Sequence, residues 1–318
     1  MRTYIIRRLI QSILVILIVS LLVFFLIRFL PGDPILIYLS QQELATLTME
    51  QVKELKHELR LDRPIIVQYF AWWHDMFQGD MGKSLFYSED VSTLLLERFP
   101  VTLYLGILSF ILSTVFGVTA GTVSALRRTK AIDTITTLLA NTGICVPIFW
   151  LGILLIYLFG LKLHFLPLYG YTSPFENFWM SIKQAILPVI CLAIFSIASI
   201  TRQTRSSVLE VIQQDYIRTA WSKGLEESSI VIRHILKNSL IPVITLMGMS
   251  FSRILGGSVL IETVFSIPGV GRLSVEALFS QDYSIIQAVT LVLSVTVVTI
   301  NFLVDIAYGW LDPRIRYG

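Results

Sequence analysis

The chain has 318 residues, of which 54% are hydrophobic and 15% charged, and its mean hydropathy is +0.72. Soluble domains carry about 25% charged residues, so this composition excludes an ordinary soluble enzyme, a disordered chain and a disulfide scaffold, and leaves an integral membrane protein. The formal net charge of +3 is too small to point to nucleic acid.

A membrane-spanning helix needs about 20 apolar residues. Six charge-poor windows meet or approach that length: 9–27, 102–126, 134–161 with Pro147 inside it, the shorter 184–201, 241–265 interrupted by Arg253 and Glu262, and 283–304. They are too long for barrel strands of about 10 residues. The first window is read as a true helix and not a signal peptide. It lacks a small-residue cleavage site, and Phe29-Leu30-Pro31-Gly32 follows it. Cys145 and Cys191 both lie in apolar runs and read as buried structural thiols.

The loop after the first span, 31–100, carries its own helices. Thr48-Met49-Glu50-Gln51 is a capping-box pattern that opens a polar helix to about Leu61. Pro64 opens a second helix over 65–77. Gly79 and Gly82 break it, and Val91, Leu94 and Leu95 make one face of a third short helix before Pro100. Tyr69, Trp72, Trp73 and Phe77 form an interfacial belt, so these helices either rest on the membrane surface or dock a partner.

Basic residues set the orientation. Arg2, Arg7 and Arg8 precede the first span, and Arg127, Arg128 and Lys130 fill the second-to-third connection. Arg202, Arg205, Arg218, Lys223, Arg233 and Lys237 lie between spans four and five, and Arg314 and Arg316 follow span six. With six spans these segments share one face, which predicts cytoplasmic N- and C-termini.

The connection between spans four and five is the most informative segment. Val208, Val211, Ile212, Ile217 and Ala220 have the spacing of one amphipathic helix. Gly224 then turns the chain, a second helix follows, and Pro242 leads into span five. A helix–turn–helix protruding from a membrane protein transmits force if something grips it. Otherwise it is a surface loop.

In order along the chain stand Phe29-Leu30-Pro31-Gly32-Asp33-Pro34, Leu61-Asp62-Arg63-Pro64, Gly79-Asp80-Met81-Gly82, Pro147-Ile148-Phe149-Trp150, Thr204-Arg205-Ser206-Ser207, Asp215-Tyr216-Ile217-Arg218-Thr219-Ala220 with Lys223-Gly224, Glu262-Thr263-Val264-Phe265, Pro268-Gly269-Val270-Gly271-Arg272, and Asp312-Pro313-Arg314-Ile315-Arg316. Set between six hydrophobic spans, this series resembles the inner-membrane permease subunits of ABC importers, and closely the peptide/nickel (dipeptide and oligopeptide) transport family. The resemblance covers almost the whole chain.

The resemblance implies an all-α integral membrane fold of the type I ABC importer permease (MetI-like) class, with six transmembrane helices. It divides the chain into an N-terminal tail and first helix (1–30), an external helical loop (31–100) and a core permease domain (101–318) with a cytoplasmic coupling loop over 203–241. That loop is similar to the family's EAA motif, which sits in a cleft of the ATPase subunit. Arg218-Thr219-Ala220 stands where the general motif has Glu-Ala-Ala, so any contact built on that carboxylate does not carry over. The coupling residues it implies are Asp215, Tyr216, Arg218, Ala220 and Gly224. The implied partners are a homologous second permease, two ABC ATPase subunits, an extracytoplasmic substrate-binding protein and membrane lipid, in a bacterial or archaeal inner membrane. ATP and Mg would be bound by the ATPase partners, and this chain would hold no cofactor and perform no bond chemistry. Di- and oligopeptides are the implied substrates, with nickel or a nickel chelate, glutathione and other small solutes as alternatives.

The chain contains no Gly-x-x-x-x-Gly-Lys-Ser/Thr phosphate loop, no His-Glu-x-x-His and no Gly-x-Ser-x-Gly. Its four histidines, His57, His74, His164 and His234, have no metal-ligand spacing. A channel or secondary transporter, which would not need the coupling loop, and a membrane-embedded enzyme are the rival classes.

Two further places invite a role in the pathway. A charge at mid-span costs at least about 2.5–3.5 kcal/mol, so Arg253 should face protein or water. It either lines the cavity and receives a substrate carboxylate, or pairs with Glu262, Asp305 or an acid of the partner permease. Pro268, Gly269, Val270 and Gly271 precede a short helix over 273–279, and with Glu262 they are candidates for the outer gate. The expectation is that 266–272 is ordered, partly buried against spans three and five, and close to the central axis. The alternative is a plain connector.

Overall fold

A computed structural model describes residues 2–29, 57, 62–84 and 86–311. The expected polar helix over 48–61, the Leu30–Pro34 part of the first motif and the Asp312–Arg316 motif lie outside the described residues, apart from His57. Every regular element described is helical, and one isolated antiparallel bridge joins Lys83 to Asp90.

The helices are α1 (Arg2–Arg28), α2 (Ile65–Phe77), α3 (Val91–Leu126), α4 (Ala131–Cys145), α5 (Ile148–Lys162), α6 (Phe178–Ile212), α7 (Asp215–Ser222), α8 (Glu227–Val264), α9 (Val270–Ser280) and α10 (Tyr283–Leu311). By length and apolarity α1, α3, α6, α8 and α10 can each cross a membrane, and α4 and α5, bent by 105° to one another, are together long and apolar enough for a sixth span. The bend falls at Pro147. Proline lacks an N–H and drives the residue before it out of the helical region, and Val146 is extended at φ −76°, ψ 124°. The third span is therefore a broken one, sharper than the uninterrupted window suggested.

Two other expectations change. Pro100 does not end a short helix, because α3 runs unbroken through it for 36 residues. The helix is clamped on both sides of the proline, and that packing outweighs one lost hydrogen bond. Val91, Leu94 and Leu95 are buried against α9 and α10, while Val101 and Leu105 are buried against α6 and α8. The fourth span is also longer than its apolar window. Asn177 caps it, its side chain accepting from Met180 N at 3.0 Å, and the helix continues past Arg202 to Ile212.

The centre of the fold is the crossing of α3 with α6. Gly117 and Gly121, four residues apart, lie on the contact face of α3. A Cβ on Gly117 would sit 2.6 Å from the Ile200 side chain, and one on Gly121 would sit 2.5 Å from the Thr201 carbonyl. Small residues at this spacing let membrane helices approach backbone to backbone. Cys191 is buried in this core, whereas Cys145 is exposed, which corrects half of the cysteine expectation.

α1 stands at the edge, against α10. Arg8 pairs with Asp305 at 3.0 Å. α2 folds back onto α1: Tyr69 and Ser20 share a buried 3.0 Å hydrogen bond, and Arg28 Nε donates to Gln68 Oε1 at 2.9 Å. The aromatic belt thus divides its work. Tyr69 packs edge-on against Phe24, and Phe77 is exposed.

Candidate functional site

The first functional element is the projection carried by α6, α7 and the start of α8. The chain breaks at Gln213 and Gln214, where Gln214 is extended at ψ 144°. The single amphipathic helix expected across 208–220 is therefore two. Val208 on α6 and Ile217 and Ala220 on α7 nonetheless meet in one cluster with Ala125, Ile230 and Ile235. The apolar spacing identified the residues of this cluster but not the break between them.

α7 ends in a Schellman-type closure: Gly224 N donates to Trp221 O at 2.9 Å, and Leu225 N donates to Ala220 O at 3.4 Å. Such a closure requires a left-handed residue after the helix, and Gly224 has φ +75°. Of the predicted coupling residues, Asp215, Tyr216, Arg218 and Gly224 are exposed and Ala220 is buried. Arg218 Nη1 lies 3.4 Å from Asp215 Oδ1, and Asn238 Nδ2 donates to the Tyr216 hydroxyl at 3.1 Å. Ala220 is thus an anchor that lets α7 lie close to its neighbours. Trp221 and Leu225 add exposed apolar surface that the motif reading did not single out.

The projection has a rigid base. Asp133 on α4 receives Arg205 Nε at 2.7 Å and Arg205 Nη2 at 3.0 Å, a two-pronged contact. It also accepts from Ser124 Oγ at 2.6 Å and Thr129 N at 3.1 Å. These bonds tie α6, just before the break, to the α3–α4 turn. Thr204-Arg205-Ser206-Ser207 was visible as a motif, but its partner Asp133 lies 72 residues away in the first turn of α4, with no pattern of its own.

The second element is the junction of α8 with α9, at the opposite end of the spans. Glu262 is fully buried. Its Oε1 accepts from Thr102 Oγ1 at 2.7 Å, its Oε2 accepts from Arg272 N at 2.9 Å, and Thr102 Oγ1 in turn accepts from Val270 N at 2.9 Å. A carboxylate thus satisfies the unpaired N–H groups that open α9, where the helix dipole favours negative charge. Gly269 and Gly271 leave room for it. A Cβ on either would strike the Glu262 carboxylate, and one on Gly271 would also lie 2.6 Å from Val259 Cα.

The segment 266–272 is ordered as expected, with Ile267, Gly269, Val270 and Gly271 buried and Ser266 and Pro268 exposed. Its contacts are with α3 and α8, and Phe265 reaches α5 beside Gly152. Val270 is sealed into a cluster with Val91, Leu94, Leu273 and Ala277. The burial of Glu262, Gly269, Val270 and Gly271 supports a packing role for them, and Pro268 is the member of the set that faces outward. The 80–90 segment closes over α9. Ser84 Oγ donates to Asp282 Oδ2 at 2.6 Å, and Tyr87 donates to Glu276 Oε2 at 2.8 Å. Burial, then the Glu276 carboxylate, raises the Tyr87 phenol above its ordinary value.

Arg253 is exposed in the second half of α8, with its guanidinium 4.4 Å from the Phe195 ring centroid. Neither expected intrachain partner is with it: Glu262 is held by Thr102 and α9, and Asp305 is held by Arg8.

Residues 117–317 match the family model described as the binding-protein-dependent transport system inner membrane component, and residues 1–106 match the N-terminal model of the same group. The chain belongs to this permease family. It is a permease subunit of an ABC importer, a multi-pass membrane protein and not itself an enzyme. Among its relatives are the probable peptide ABC transporter permease protein y4tP of Sinorhizobium fredii, 40% identical over 317 residues with both chains covered in full, and the dipeptide transport system permease protein DppB of Alkalihalophilus pseudofirmus, 36% identical over 337 residues with both covered in full.

The permease fold is seen in solved structures as well. An inward-facing MetNI methionine ABC transporter matches with a TM-score of 0.57 at 18% identity, over 69% of this chain and 96% of that one. An amino acid ABC transporter matches with a TM-score of 0.52 at 16% identity, over 69% and 94%. Both the α7 projection and the α9 junction fall within the stretch matched by the main family model.

Proposed function

We propose that this permease forms half of the membrane pathway of a peptide importer and couples that pathway to ATP hydrolysis by separate ATPase subunits. The observation that carries the coupling role is α7. It is an eight-residue helix held on the bundle by Ile217 and Ala220, with Tyr216 tied to Asn238 of α8, while Asp215 and Arg218 are left exposed. A helix anchored on one face and free on the other can be pushed as a unit, and the Asp133–Arg205 tie would pass that push into α3, α4 and α6. The peptide assignment is supported by the names of the full-length relatives.

In this reading both termini and α7 are cytoplasmic, in agreement with the basic residues clustered there. The α8–α9 junction faces the outside of a bacterial or archaeal inner membrane, where an external binding protein would deliver substrate. A second homologous permease completes the pathway, and two ATPase subunits bind ATP and Mg. ATP-driven closure of the ATPases would bring the two α7 projections together and open the pathway outward, and hydrolysis would reset it.

Proteoliposomes holding the complete complex test this. Uptake of a labelled dipeptide should require the binding protein and internal ATP, and the ATPases should co-purify with the permease pair. ATP-independent uptake would support a channel or secondary carrier instead. Uptake of a nickel chelate or glutathione in place of peptide would reassign the substrate.

A further inference from the structure

Arg253 is a cation that the described residues leave without a carboxylate. It lies in the apolar half of α8, about 16 Å of helix short of Val264 and farther from the other end. A charge within an apolar span is costly against lipid, so Arg253 is expected to face protein or water. Three acids on these helices are bound elsewhere: Asp133 by Arg205, Glu262 by Thr102 and the α9 backbone, and Asp305 by Arg8. The guanidinium is laid over Phe195 of α6. A guanidinium held over a ring by its face keeps the paired N–H donors at its edge available to a carboxylate.

The surroundings leave room for a ligand. Met249, Arg253, Gly256 and Leu260 recur at helical spacing and are all exposed, so they form one strip along α8. A Cβ built on Gly256, one turn beyond Arg253, meets nothing within 4 Å. The strip offers a fixed cation, a gap and two flexible or branched apolar side chains. That is the chemistry that receives a short peptide by its C-terminal carboxylate while tolerating varied side chains.

We propose that Arg253, braced by Phe195, is a carboxylate-recognition site in the translocation pathway, reading the C-terminus of the transported peptide. This rests on the peptide-import reading above. It makes the pathway selective for free-acid peptides independently of the binding protein.

The test uses the complete complex in proteoliposomes, with alanyl-alanine and alanyl-alaninamide as probes. The binding protein is fully loaded with each peptide, which removes its own preference from the comparison. Arg253→Gln is expected to lower uptake of the free acid by about tenfold, the usual loss for a charge-assisted hydrogen bond. It should leave amide uptake and the yield of assembled complex near wild type, and Arg253→Lys should recover part of the free-acid rate. Equal losses for both peptides with a lower complex yield would show that Arg253 pairs with an acid of the partner permease, and would overturn the proposal. Unchanged uptake of both would overturn it too. If the wild-type complex imports neither peptide, the peptide reading itself fails, a result distinct from either of these, and the site falls with it.

Discussion

Thr102 on α3 donates its hydroxyl hydrogen to Glu262 Oε1 on α8 at 2.7 Å, while its oxygen accepts from the first N–H of α9. One small side chain therefore closes a three-helix relay around a buried carboxylate. Removing either the donor or the acceptor strands a partner in the interior, and a stranded buried polar group costs about 1–3 kcal/mol, more when it is charged.

Thr102→Val should accordingly destabilise the permease by about 2–3 kcal/mol, whereas Thr102→Ser, which keeps the hydroxyl, should cost under about 1 kcal/mol. Thermal unfolding of the purified complex, followed by intrinsic fluorescence, measures both. Equal midpoints for Val and wild type would show that the relay does not bear on stability.

The glycines of the same junction make a steric prediction. Gly271→Ala places a methyl group against the Glu262 carboxylate and the Val259 backbone. Neither yields easily, and overpacking of this kind costs about 1–3 kcal/mol. Gly256→Ala lies in open space and should be neutral or slightly stabilising, since alanine is the better helix former. The two variants, compared for expression and thermal midpoint, should differ in the sign or at least the size of the change.

How much of this was legible beforehand depends on the distance between partners. Spans, the α9 helix and the projection could be read because apolar runs, glycines and prolines are local signals. Glu262, Pro268 and Gly269 could be marked as unusual, but their joint meaning needed Thr102, which in sequence is one more threonine at the start of a span. Asp133 escaped for the same reason: an acid near a basic turn has no pattern until α6 brings Arg205 beside it. The break at Gln213–Gln214 was hidden because both helices feed the same apolar cluster, so the hydrophobic spacing stays coherent across the interruption. Pro100 and Pro147 show the limit from the other side. The same residue is overruled by packing in α3 and bends the chain by 105° between α4 and α5.

The Asp133–Arg205 pair predicts a coupling defect with a structural signature. Asp133→Ala leaves Arg205 without its anion and Ser124 without its acceptor. Breaking a buried pair on one side costs about 3 kcal/mol or more, and the partial exposure of Arg205 places the loss at the lower end. The double variant Asp133→Ala with Arg205→Ala should recover part of that stability, because no charge is stranded. It should still transport poorly, since α6 is no longer tied to the α3–α4 turn. A double variant with wild-type uptake would show that the tie plays no part in transmission.

Gly224 separates conformational from contact effects at the projection. Its φ of +75° lies in the left-handed region, so a side chain there costs about 1 kcal/mol by strain alone. A Cβ at this position meets nothing within 4 Å, so the isolated permease has no steric objection to one. Gly224→Asn, a residue that tolerates this conformation, should therefore fold and assemble with less strain than Gly224→Ala. If the open space above Gly224 is where an ATPase subunit seats, both variants should uncouple ATP hydrolysis from uptake, with asparagine the more damaging because it is larger. If only the turn matters, alanine should be the worse of the two. ATPase activity and peptide uptake, measured on the same proteoliposomes, give that order directly.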